Sequence, residues 1–84
     1  MATPTELQFK QLERLIGNLE MSIPVHCRRH EDGSVQVDAG NPYVIEDGDQ
    51  MDSLLNDVMD INTDVEPDEL FDAFLGIVAG YCDF

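Results

Sequence analysis

The hydrophobic period changes twice along the chain, and the changes mark out its elements. In residues 3–20, Phe9, Leu12, Ile16 and Leu19 recur at helical spacing, with Leu15 widening the stripe. Thr3 suits the N-cap and Pro4 the first helical position, while Glu6, three after Thr3, completes a capping box. Glu6, Lys10 and Arg14 stand four apart on another face, where they can pair. Gly17 and Asn18 weaken the last turn, and Pro24 stops the helix from continuing far. From Ile23 the period drops to two. Ile23, Val25 and Cys27 alternate with Pro24, His26 and Arg28, the pattern of a half-buried strand. Glu31-Asp32-Gly33-Ser34 is a turn built on the hairpin dipeptide Asp-Gly. Val35 and Val37 alternate with Gln36 and Asp38, Ala39-Gly40-Asn41-Pro42 turns again, and Tyr43-Val44-Ile45 makes a third strand. Three strands joined by short turns predict an antiparallel meander with one packed and one wet face.

Helical spacing returns after Asp47-Gly48-Asp49, either aspartate of which can cap the next helix. Met51, Leu54, Leu55, Val58 and Met59 form one stripe, and Asp52, Asn56, Asp57 and Asp60 take the remaining face. Asn62-Thr63-Asp64 breaks this helix. Pro67 opens a last one, with Asp68 and Glu69 in its first turn, where the helix dipole favours anions. Leu70, Phe71, Phe74, Leu75, Ile77, Val78 and Tyr81 cover more than half its circumference, which predicts it as the central element of the core. The fold class is therefore α+β: a helix, a three-stranded antiparallel β-meander, and two helices, with the helices packed on one face of the sheet. The predicted core is Leu12, Ile16, Val25, Val35, Val37, Leu54, Leu55, Val58, Phe71, Phe74 and Val78. Residues 1–84 form a single domain.

Charge changes this picture most. Residues 31–84 contain no Lys or Arg and fifteen acids, while all four cations (Lys10, Arg14, Arg28, Arg29) stand in the first 30 residues; the net charge is −14. Apolar content of 43% is too high for a disordered acidic tail, so the acids decorate a folded body. Their mutual repulsion destabilises that body, most strongly at low salt. Direct nucleic-acid binding is excluded, because phosphate neutralisation needs a cationic face. Residues 1–20 carry charges every few positions and read as no secretory leader, and the run from Leu70 to Tyr81 is too short to span a bilayer, so a cytoplasmic protein without a membrane partner is expected. Two cysteines, Cys27 and Cys82, are too few for a disulfide framework and read as thiols.

Chemistry is sparse. The acids fall on polar faces, where no environment pushes a pair of them apart in pKa, so no catalytic residue, no cofactor and no enzyme activity is read from them. His26 and His30 share a strand face, but alternation sends Cys27 to the other, so no metal set converges and Cys27 belongs to the core. Gly76 and Gly80 form a GxxxG that lets another element approach closely, and a second copy of the chain is one candidate partner.

Three resemblances rest on particular residues. Asp60-Ile61-Asn62-Thr63-Asp64 resembles the start of an EF-hand or dockerin calcium loop, but Val65 stands where glycine is needed and Phe71 where an acid is needed, leaving an interhelical turn. Asp52-Ser53-Leu54 resembles the attachment site of acyl carrier proteins, which would make Ser53 the bearer of a phosphopantetheine arm. That family is all-helical, and its glycine two before the aspartate is Gln50 here. Finally, Glu46, Asp47, Asp49, Asp52, Asp57, Asp60, Asp64, Glu66, Asp68, Glu69 and Asp72 follow one another with no cation between them. Carboxylates three or four apart on a helix lie ~5–6 Å apart at Cβ, of the order of neighbouring phosphates on one strand. In charge, size and α+β reading the chain is similar to small phage-encoded nucleic-acid mimics: anti-CRISPR proteins, anti-restriction proteins and uracil-glycosylase inhibitors. That resemblance implies a protein-protein inhibitor whose partner is the basic groove of a host defence or DNA/RNA-processing protein, with these eleven acids as the binding residues, in the host cytoplasm. A halophilic or acidic interaction domain without mimicry is the competing expectation.

Overall fold

The computed structural model describes residues 2–82; Asp83, one of the fifteen acids, lies outside them. The elements run α1 (Glu6–Asn18), β1 (His26–Arg29), β2 (Val35–Asp38), β3 (Pro42–Ile45), α2 (Gly48–Met59) and α3 (Pro67–Tyr81). The strands pair antiparallel in the order β1-β2-β3, so the meander and the α+β class are as the periodicity predicts. α1 lies against β1, α3 against β3, and α2 sits between the two helices and touches both. The middle of the helical layer is therefore α2 and not α3, although α3 supplies Phe74, the largest fully buried side chain.

Ten of the eleven predicted core residues are buried, and Ile16 packs half-buried at the margin. The sheet face toward the helices carries Val35, Val37, Tyr43 and Ile45, all buried, with Cys27 half-buried against the same cluster. On the other face, register aligns Arg28, Gln36 and Val44 across the three strands. There Gln36 Oε1 accepts from Arg28 Nη2 at 3.3 Å and from His30 Nε2 at 3.0 Å.

The start of α1 differs from the expectation. Thr5, not Thr3, is the N-cap, and Gln8, not Glu6, closes the capping box: Gln8 N–H donates to Thr5 Oγ1 at 3.1 Å, and Thr5 N–H to Gln8 Oε1 at 2.8 Å. Tertiary contacts decide this. Residues 2–4 run across the end of the sheet, where Ala2 O accepts from Gly48 N–H at 2.9 Å, Pro4 O accepts from Arg29 at 3.2 Å, and Pro4 is fully buried. At the other end α1 stops at Asn18, two residues short of the predicted span.

β1 also starts late. Ser22 N–H donates to Pro67 O at 3.3 Å, Ile23 is 44% exposed, and only from His26 does the chain join the sheet. The β1–β2 turn is a three-residue hairpin: His30 N–H donates to Ser34 O at 2.8 Å and Gly33 N–H to His30 O at 3.0 Å. Gly33 has φ +94, and a Cβ there would stand 2.5 Å from Thr3 Oγ1, so both backbone angle and packing demand glycine. By contrast, a Cβ on Gly76 or Gly80 would meet nothing within 4 Å. The GxxxG of α3 therefore faces outward instead of admitting an element of its own fold. No helix among the described residues is long and apolar enough to cross a membrane.

Candidate functional site

The acids of residues 46–72 sit along one continuous path from the end of β3, through α2, to the first two turns of α3. Ten of the eleven are exposed; Asp47 is half-buried. Asp47 is the N-cap of α2, its Oδ1 accepting from Asp49 N–H at 2.9 Å. Asp49 stands in the first turn of α2, and Asp68 and Glu69 in the first turn of α3, all at the positive end of a helix dipole. Asp60 is the C-cap residue of α2, and Glu66 precedes α3 as its N-cap without a side-chain bond. Asp64 lies in the turn between them, its N–H held by Asn62 Oδ1 at 3.0 Å. That bond fixes the turn as an Asx turn. Among the described residues no group of three or more His, Cys, Asp or Glu side chains converges as metal ligands.

Asp52 and Asp57 do not stand on a common free side of α2. At 3.6 residues per turn they are about 140° apart around the helix. Asp52 leans toward α1 and accepts from Gln8 Nε2 at 2.7 Å; Asp57 leans toward α3 and accepts from the Tyr81 hydroxyl at 2.7 Å. The Asp57 carboxylate pushes the Tyr81 hydroxyl above the ordinary tyrosine range, through the hydrogen bond first and its charge after burial. Gln8 Nε2 also donates to Gly48 O at 3.0 Å, so one amide ties α1 to the start of α2. These two neutral residues orient two of the predicted binding carboxylates. Nothing in local spacing points to them, because both bonds join residues far apart in sequence.

The charge on this surface is uncompensated. Among the described residues the one ion pair is Glu6–Lys10 at 3.7 Å, within α1, and none of the acids of residues 46–72 takes part in it. The four cations lie on α1 and β1. Beside the surface, a cleft of about 480 Å³ opens between the β1–β2 turn, β3 and the end of α3. Asp32, Ser34, Val44, Glu46, Asp47 and Tyr81 are among the residues that line it. Asp32 Oδ1 accepts from both the hydroxyl and the N–H of Ser34, at 2.7 and 2.9 Å, which holds its carboxyl below the usual range.

Ser53 is exposed and is the sixth residue of α2, well inside the helix, and the chain carries a sheet. Both features depart from an all-helical carrier whose serine begins a helix. Among the described residues no disulfide forms. Burial first, then the charges of Glu13 and Asp38, push the Cys27 thiol up to about 12. The thiolate is the reactive form, so Cys27 should label with iodoacetamide at pH 8 roughly a thousandfold more slowly than an unhindered cysteine. Intact-mass kinetics on the folded protein check this, and labelling at the rate of a free cysteine would place the side chain in solvent. Compared with protein-family models, with curated proteins and with solved structures, the chain matches none.

Proposed function

We propose that this protein is an inhibitor that occupies the basic nucleic-acid-binding groove of a host defence or DNA/RNA-processing protein, setting carboxylates where phosphates would lie. It is a blocker and not an enzyme, and it acts in the cytoplasm of the cell that holds its target. One observation supports the reading above the rest: ten exposed carboxylates follow one another from β3 to α3 without a cation, while every cation of the chain is confined to α1 and β1. A field sorted in this way attracts a basic partner to the acidic elements and makes association steeply salt-dependent. General solubility does not require such sorting.

The test begins with capture on the immobilised chain from host lysate, at about 50 mM and about 500 mM NaCl, which brackets the change from weak to strong screening. Each protein retained only at low salt is purified, and its DNA or RNA binding is measured with and without this chain. Stoichiometric displacement of the nucleic acid is the expected result. A target that holds the chain and its nucleic acid together would refute the mimic reading. Transfer of a phosphopantetheine arm to Ser53, or unfolding when salt is removed, would instead favour a carrier or a halophilic domain.

A further inference from the structure

β1 and β3 form the two edges of the sheet, and only one of them is protected by charge. Exposed edges are normally blunted with charged side chains, because their open backbone groups invite another strand. β1 carries His26, Arg28 and Arg29; β3 is Pro42-Tyr43-Val44-Ile45, with no charged side chain. Register fixes which backbone groups β3 leaves open. His30 N–H donates to Ser34 O, so Ser34, Gln36 and Asp38, alternating along the strand, direct their backbone groups to β1. Val35 and Val37 then direct theirs to Ile45 and Tyr43 on β3. Val44, between those two, points its N–H and C=O away from the sheet. Among the described residues no turn, helix or side chain takes them up. Pro42 shares this outward edge and has no N–H to offer there, as proline at a sheet edge should.

The 480 Å³ cleft adjoins this edge, with Val44 in its wall and Asp32, Glu46 and Asp47 around it. We propose that the β3 edge takes up an extended cationic segment of a partner protein as a fourth strand. Its main chain pairs with Val44, and every second side chain, basic, enters the cleft against Asp32, Glu46 and Asp47. Charge complementarity selects this occupant. A second copy of the chain would bring −14 against −14, and its own β3 edge has no cation to set against Asp32, Glu46 and Asp47. Strand addition uses main-chain hydrogen bonds for affinity and alternate side chains for specificity, which matches an open backbone edge beside a one-signed cleft. The inference does not require that the carboxylates of α2 and α3 mimic a nucleic acid.

The experiment titrates a capped octapeptide of alternating Arg and Thr into the ¹⁵N-labelled full chain and follows every backbone amide by NMR. Amide exchange at Val44 should slow about tenfold near saturation, while the outward amides of the β1 edge, Cys27 and Arg29, stay unchanged. A peptide of alternating Glu and Thr should not bind. Val44→Pro removes the outward N–H without touching the β2–β3 bonds or any charge, and it should weaken the Arg-Thr peptide about tenfold. The exchange measurement on the wild-type chain stands on its own if that variant folds poorly. Peptide-induced shifts confined to α2 and α3, unchanged affinity in Val44→Pro, or dimerisation through β3 without peptide would each overturn the proposal. Displacement of nucleic acid from a captured target is a separate readout, so failure here leaves the mimic reading standing, and the reverse also holds.

Discussion

Phe74→Ala should leave the protein barely folded. Phe74 is fully buried on α3 within the cluster that also holds Leu54, Val58 and Val78, so its ring has no solvent-facing route by which the site can relax. Truncating such a residue costs about 3–5 kcal/mol, the transfer of the ring plus the cavity it leaves. Small domains have about 0.05–0.15 kcal/mol of stability per residue, hence about 4–13 kcal/mol for a chain of this length. The loss therefore takes a large share of the total, and the midpoint of thermal unfolding should fall by about 12–40 °C. Urea titration followed by circular dichroism checks it. Ile77→Ala, on the same helix but half-exposed, is the control and should cost far less. A Phe74→Ala protein as stable as wild type would mean that α3 is not docked as described. Self-repulsion among the acids makes the variant salt-sensitive, so added NaCl should recover part of the loss.

The elements are legible in the sequence because each has a strong local period. The stripe Met51, Leu54, Leu55, Val58 survives burial intact: all four are inside, while Met59, at the end of the same stripe, is 51% exposed where the helix stops. The hairpin at Asp32-Gly33 is legible from the dipeptide, since a positive φ beside Thr3 admits only glycine. The features that are not legible depend on distant partners. Thr3 and Thr5 are equally good caps in isolation, and the choice is made by Arg29 and Gly48, which hold residues 2–4 extended. The strand expected from Ile23 begins at His26 because Ser22 is tied to Pro67. The rank of the helices is hidden for a related reason: apolar content makes α3 look central, but a helix packed against two others must be the middle one, and adjacency is not written in composition.

The candidate surface is legible as charge and not as geometry. Its acids lie outside because the apolar stripes leave them no other face. Which carboxylates are free and which are held is not written there, because Gln8 and Tyr81 reach Asp52 and Asp57 across 44 and 24 residues. The open edge at Val44 is equally hidden. Tyr43-Val44-Ile45 reads as a strand, but whether it lies at an edge is decided by sheet order alone.

Reversing the charge of Asp60, Asp64 and Asp72 should abolish partner binding and leave the fold intact. By helical spacing alone the natural triple is Asp52, Asp57 and Asp60, on the side of α2 away from its apolar stripe. The structure changes that choice, since lysine at Asp52 or Asp57 would break the bond from Gln8 or from Tyr81 and mix a folding defect with the loss of charge. Asp60, Asp64 and Asp72 are exposed, and among the described residues no hydrogen bond or ion pair engages their side chains. Lysine at Asp60 even places a cation near the C-terminus of α2, where the last turn has none, so stability should rise slightly. Removing one exposed ion pair costs ~0–1 kcal/mol, so single Asp→Asn changes should mostly stay within about fivefold of wild-type affinity. Three reversals replace attraction by repulsion at three points and should weaken binding about a hundredfold or more, chiefly through a slower association rate. Asp52→Asn and Asp57→Asn remove charge but keep an acceptor oxygen for Gln8 and for Tyr81. They are the clean probes of whether those two held carboxylates sit at the desolvated centre, where a lost pair costs ~2 kcal/mol or above. Surface-plasmon kinetics against the captured target, with thermal unfolding of each variant, separate the two effects. A folded Asp60/Asp64/Asp72 lysine variant that binds with wild-type affinity would rule out mimicry by this surface. The sheet face around His26, Arg28 and His30 would then be the place to look.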